Sequence, residues 1–202
     1  MKKTLATAIL MLAGIAAAPA SAQSVTGNVT ISGTVGGRCS IVQPGGGSEV
    51  ASFTGAINLQ RLDAADGTLR NTLASSTAAS PADGLTVGSR VVCTSANPTI
   101  GVIATRLNTG GTTDPGTGYS NDINYTAQLK VNTASGGTKA VSYGTLNGGA
   151  ASTAQLGERI AAGSANNVDV SIFSLAAEGG ATSLLAEGSY TGIVTVTINP
   201  TM

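Results

Sequence analysis

Side chains able to exchange a proton near neutral pH are scarce in this 202-residue chain, which contains no histidine. Histidine is the commonest general acid or base, so a serine–histidine triad is impossible. Beyond the first residues the only lysines are Lys130 and Lys139, and neither follows a serine at the Ser-Xaa-Xaa-Lys spacing of a serine–lysine nucleophile. Two carboxylate pairs could in principle serve a glycosidase, Asp63 with Asp66 and Asp114 with Asp122. Both read as polar-loop residues with no aromatic side chain nearby to hold a sugar ring, so solvated turns are expected there. Asp63-Ala-Ala-Asp66-Gly67 lacks the ligand density of a calcium loop. The triple glycine at 45–47 has no Lys-Ser or Lys-Thr after it at phosphate-loop spacing. No catalytic, cofactor-binding or metal residue is assigned, and a non-enzyme is expected.

The remaining reactive groups are the two cysteines, Cys39 and Cys93. Their chemistry depends on the compartment, and the N-terminus indicates one. Lys2 and Lys3 precede an apolar run over residues 5–18, and Ala20-Ser21-Ala22 fits a small-residue cleavage site, so residues 1–22 read as a secretory signal peptide. No later run is apolar for the roughly 20 residues that a membrane helix needs, so no membrane span is expected after cleavage. Export places both thiols where disulfides persist, and a Cys39–Cys93 bridge is expected. Two thiols without histidine supply too few ligands for a metal site.

Composition narrows the partners. Only 10% of residues are charged and 3% aromatic, with no tryptophan. Removing residues 1–22 leaves eight basic against ten acidic residues, a net charge of −2. Neither a basic groove nor a stacking platform for nucleic acid is available.

The elements that must position these residues are read from apolar periodicity. Residues 24–35 separate cleanly into two faces. Val25, Gly27, Val29, Ile31, Gly33 and Val35 fall on one side of an extended chain and Thr26, Asn28, Thr30, Ser32 and Thr34 on the other. Gly36 and Gly37 follow, so this strand can act as an arm offered to another molecule's sheet edge as well as a first strand of its own domain. Further strands are expected at 38–42, 85–93 with a bulge at Gly88, 99–107, 122–131, 141–145, 167–175 and 188–198. Brief edge segments are expected near 50–53 and 57–59. A short helical turn is signalled by Leu62, Leu69 and Leu73, and residues 108–118 and 147–152 read as loops. Seven or eight short strands without an amphipathic helix predict an all-β sandwich of one domain.

Several of these stretches together resemble a known family. Ile31-Ser-Gly-Thr-Val35, then Cys39-Ser-Ile-Val42, Val91-Val-Cys-Thr94 and the ending Glu187-Gly-Ser-Tyr-Thr-Gly-Ile-Val-Thr-Val-Thr-Ile198 are similar to bacterial chaperone–usher pilins, including the spore coat protein U-like group. The resemblance implies an incomplete, immunoglobulin-like β-sandwich over residues 38–202 and an N-terminal donor-strand arm over residues 23–37. Val25, Val29, Ile31 and Val35 would enter a neighbour's groove, with Gly33 where backbones approach closely. Tyr190, Val194, Val196 and Ile198 would form one wall of that groove. It further implies a structural subunit of a surface pilus or fimbria. A periplasmic chaperone and an outer-membrane usher would be its assembly partners, other pilus subunits its neighbours, and the periplasm and then the cell surface its locations. Two other readings suit the residues, a self-contained secreted coat or matrix sandwich and a carbohydrate-binding adhesin module.

Overall fold

The computed structural model describes residues 30–42, 49–50, 52, 55–80, 85–111, 117–163 and 165–201. Residues 1–22, Val25, Val29 and Asp114 lie outside them. The chain divides into two compact units, Met1–Thr34 and Val35–Met202. In the first unit, residues 30–34 belong to no strand and are exposed, Ile31 to 92%. The strand periodicity noted for residues 24–35 is thus not expressed as a ladder among the described residues, because an extended segment counts as a strand only when an edge pairs with it.

The second unit is nearly all β. Its strands are β1 (Cys39–Val42), β2 (Glu49–Val50), β3 (Thr86–Cys93), β4 (Thr99–Ala104), β5 (Leu107–Asn108), β6 (Tyr119–Ser120), β7 (Asp122–Asn132), β8 (Thr138–Gly144), β9 (Ser152–Gln155), β10 (Val168–Ala177), β11 (Leu184–Leu185) and β12 (Val194–Asn199). One helical turn, α1 (Asn71–Ala74), buries Leu73. A large antiparallel sheet runs β2-β1-β3-β10-β7, with β5 and β8 sharing the far edge of β7. A small antiparallel sheet runs β12-β4-β9, and β6 and β11 form a short parallel pair.

Apolar side chains from both sheets form one core. Ile123, Ala127, Leu129 and Val131 alternate along β7 and are fully buried, as are Ile100 and Val102 on β4 and Val168 on β10. Tyr125 sits among them, its hydroxyl donating to the Thr105 carbonyl at 2.8 Å. Burial pushes its phenol up to about 12.

Cys39 lies directly opposite Cys93 in the β1–β3 ladder, and the two form a disulfide. Asn167 repairs the same sheet where β10 begins. Its amide oxygen accepts from the Val91 N–H at 2.8 Å, and its amide nitrogen donates to the Val91 and Ala161 carbonyls, both at 2.7 Å. A side chain thus takes the place of a strand neighbour.

Two expectations are corrected. The β3–β10 register runs without a shift through Gly88, so there is no bulge. A Cβ at Gly88 would lie 2.6 Å from the Asn166 side-chain nitrogen, so a larger residue there would displace that side chain. The irregularity is on β10, between Phe173 and Ala176. There Ser174 adopts φ 53° while its N–H donates to the Ser76 carbonyl, docking the segment after α1. Residues 152–155, read as the end of a loop and beyond, form β9, held by β4 despite lacking any large apolar residue.

Candidate functional site: an open edge beside the last strand

The last strand was expected over 188–198, yet β12 starts at Val194. Gly192 stops the ladder: a Cβ there would lie 3.0 and 3.1 Å from the Thr105 and Arg106 carbonyl oxygens, so the chain crosses close over another backbone at this point. Tyr190 is therefore in the loop before β12. Its hydroxyl donates to the Ser120 and Ala186 carbonyls at 2.8 and 3.0 Å. Burial raises its phenol above the ordinary range.

Among the described residues β12 pairs only with β4, in the register Val194 opposite Ala104, Val196 opposite Val102 and Ile198 opposite Ile100. On β4 these partners are buried, while Val194, Val196 and Ile198 are only half-buried. The difference follows from position: among the described residues β4 lies between two strands and β12 has one neighbour. Thr105 N–H donates to the Ile193 carbonyl at 2.9 Å, which makes Ile193 and Thr105 a hydrogen-bonded pair of the antiparallel ladder. Because such pairs alternate, Thr195, Thr197 and Asn199 turn their backbone groups to β4. Val194, Val196 and Ile198 then point theirs away from it. Among the described residues these three N–H and three C=O groups have no partner strand, so they line an open edge whose side chains are apolar.

That edge borders a cleft of about 1610 Å³. Its floor is the β1-β3-β10 half of the large sheet, including Ile41, Val87, Val168, Val170 and Ile172. Residues 55–60 also line the cleft and run without a strand assignment; Ile57 and Leu59 are half-buried between exposed Ala56, Asn58 and Gln60. Among the described residues, 55–60 make no backbone–backbone hydrogen bond. Side chains bond two of this segment's backbone groups, since the Leu59 carbonyl accepts from Arg70 at 3.2 Å and the Gln60 N–H donates to the Asn58 side-chain carbonyl at 2.8 Å; among the described residues no strand pairs with it, and aliphatic side chains lie beneath the cleft. Its volume exceeds the roughly 300–1,000 Å³ of ordinary small-molecule sites, and it is suited to an extended chain.

All four expected wall residues, Tyr190, Val194, Val196 and Ile198, line this cleft. Of the arm residues, Ile31 and Val35 are 92% and 83% exposed and Gly33 has no atom within 4 Å of where a side chain would begin. The root of the arm is held: Thr94 Oγ1 accepts from the Arg38 N–H and donates to the Gly36 carbonyl, both at 2.9 Å. The brief edge segment expected near 57–59 falls within residues 55–60, where no strand is assigned among the described residues.

The carboxylates weighed as acid–base pairs are elsewhere. Asp63 is bonded to Arg61 at 2.9 Å, which holds its carboxyl below the usual range, and the Thr68 hydroxyl does the same for Asp66. Asp122, expected in a solvated loop, is buried at the start of β7 and lies 3.4 Å from Arg106, which also pairs with Glu178 at 2.9 Å. It is a structural anchor there. Among the described residues no three His, Cys, Asp or Glu side chains are grouped to hold a metal ion, and no helix is long and apolar enough to cross a membrane. Comparison with protein-family models, with curated proteins and with solved structures returned no match.

Proposed function

We propose that the chain is a structural subunit of a bacterial surface pilus, built by donating its N-terminal arm as a strand to the cleft of a second copy. In this reading residues 38–202 are an immunoglobulin-like sandwich short of one strand. The observation that carries it is the β12 edge, where half-buried Val194, Val196 and Ile198 turn their backbone groups away from β4, with no partner strand among the described residues. The arm has the matching chemistry, since Val25, Val29, Ile31 and Val35 share one face and residues 23–37 contain no charged side chain. Main-chain bonds would supply affinity and the alternate aliphatic side chains register, as in strand addition generally. A periplasmic chaperone would cover the edge before assembly and an outer-membrane usher would order the exchange. These partners rest on the sequence resemblance alone.

The test is truncation. Mature chain lacking residues 23–34 is expected to remain folded and monomeric and to bind a capped peptide of residues 23–37 at one per body. Continued polymerisation of the truncated chain, or no uptake of the peptide, would overturn the reading and favour a self-contained secreted domain.

A further inference from the structure

Twelve asparagines occur in the chain, and Asn147 alone is followed by glycine. An asparagine amide can be attacked by the main-chain nitrogen of the next residue, and that residue's side chain decides how easily. Glycine has no Cβ to obstruct the approach and adopts backbone angles closed to other residues. Asn97 and Asn199 precede proline, whose nitrogen has no proton to lose. The remaining nine precede residues that carry a side chain.

The fold leaves the Asn147-Gly148 pair open. It lies in the connection between β8 and β9, where residues 146–151 are all exposed. Gly148 and Gly149 adopt φ 57° and 103°, and a Cβ added at either would meet no atom within 4 Å. Among the described residues neither the Asn147 amide nor the Gly148 N–H makes a hydrogen bond. The connection is held on either side of the pair instead: the Thr145 N–H donates to the Tyr125 carbonyl at 2.9 Å, and the Tyr143 hydroxyl donates to the Gly149 carbonyl at 3.3 Å. Asp66-Gly67 could cyclise in the same way, but there both reacting groups are engaged. The Gly67 N–H donates to the Ala64 carbonyl at 3.0 Å, and Asp66 Oδ1 accepts from the Thr68 N–H and hydroxyl at 3.0 and 2.8 Å.

We infer that Asn147 is a modification site, at which the amide converts to a carboxylate without an enzyme, so that the surface gains a negative charge as the protein ages. Solvent base removes the Gly148 N–H proton, the nitrogen attacks Asn147 Cγ, and the Cγ–Nδ2 bond breaks, releasing ammonia and leaving a cyclic imide. Water then opens the imide at either carbonyl, giving aspartate or isoaspartate at position 147. Water is the only co-reactant. The conversion takes the chain without residues 1–22 from a net charge of −2 to −3, eight basic against eleven acidic groups. Residues 146–151 do not line the cleft, so the site is independent of strand donation.

The test is ageing of the mature chain at mildly alkaline pH, followed over days by isoelectric focusing and by mass spectrometry of tryptic peptides. Asn147 is the only asparagine in the tryptic peptide 140–159, which lies between Lys139 and Arg159. That peptide is expected to pass steadily into its acidic form, with isoaspartate detected by enzymatic methylation, and the intact chain to shift by one negative charge. Peptide 62–70, which holds Asp66, should gain no isoaspartate over the same time. Asn147→Gln should abolish the shift, and Gly148→Ala should slow it severalfold. The melting temperature of the converted chain should equal that of fresh protein, because the site bears no core contact. Four results would each overturn the inference: a folded chain that stays unconverted while free synthetic peptide 140–159 converts, a shift that persists in Asn147→Gln, isoaspartate rising as fast in peptide 62–70, or a melting temperature that falls as conversion proceeds.

Discussion

Replacing Ile31 by alanine separates the fold of the body from its assembly. Ile31 is 92% exposed, so its truncation removes no core contact, and the melting of the isolated chain should stay within the roughly ±0.5 kcal/mol of ordinary surface changes. Seated in a neighbour's cleft, the same side chain would be buried against the aliphatic floor. Burial of an isoleucine contributes about 1.5–3 kcal/mol, which at 1.4 kcal/mol per decade is a loss of roughly 10- to 150-fold in affinity. The assay is competition: labelled 23–37 peptide on the truncated chain, displaced by unlabelled wild-type or Ile31→Ala peptide, with thermal unfolding of the full-length variant alongside. Ile31→Asp should abolish displacement, because a carboxylate would enter an apolar cleft. Equal displacement by the alanine peptide, or a large fall in melting temperature of the variant chain, would refute the claim that Ile31 acts in assembly and not in its own domain.

Other consequences follow from the fold. Reducing the Cys39–Cys93 bridge, or changing both cysteines to alanine, removes a link across 54 positions; the chain-entropy model gives roughly 4 kcal/mol, a fall of about 8–16 °C in melting temperature, and a fall below about 2 °C would contradict it. Asn167→Ala should destabilise the body by about 1–3 kcal/mol, since Val91 N–H and C=O lose their partner in a buried position, and denaturant melts within error of wild type would speak against that role. The Tyr125 phenol, pushed up to about 12 in the fold against about 10 in an unfolded chain, contributes stability that is present below pH 10 and is lost as pH rises towards 12. Tyrosinate absorbance should show Tyr125 titrating late, with Tyr190 also delayed by its burial, and unfolding in that window; complete titration near pH 10 in the folded chain would exclude it.

Much of the architecture is legible in the residues, and what is not has identifiable causes. Ile123, Tyr125, Ala127, Leu129 and Val131 alternate without interruption and all face the core of β7, since a strand covered on one face must repeat every second residue. The same holds for Val168, Val170 and Ile172, and for Val194, Val196 and Ile198. Leu73 marks the one helical turn. By contrast β9 consists of Ser, Thr, Ala and Gln, and only the neighbouring β4 makes it a strand. Such tertiary pairing overrides local preference. Asp122 reads as a loop residue because nothing local announces Arg106, sixteen positions earlier, or Asn108 as its partners. Tyr190 was placed on the last strand by its position in the alternation, but the close approach of Gly192 to the Thr105 and Arg106 carbonyls breaks the ladder first. That Val194, Val196 and Ile198 share a face is legible in the alternation; that, among the described residues, their strand has a neighbour on one side alone is a fact of sheet order, which periodicity does not carry.

The most direct measurement is amide hydrogen exchange along β12 in the chain lacking residues 23–34. Thr195, Thr197 and Asn199 should exchange slowly because β4 holds them, whereas Val194, Val196 and Ile198 should exchange fast, and adding the 23–37 peptide should slow those three. Six amides that are equally slow before any peptide is added would mean that the edge is already paired, and would contradict an unfinished sheet awaiting a strand from another copy.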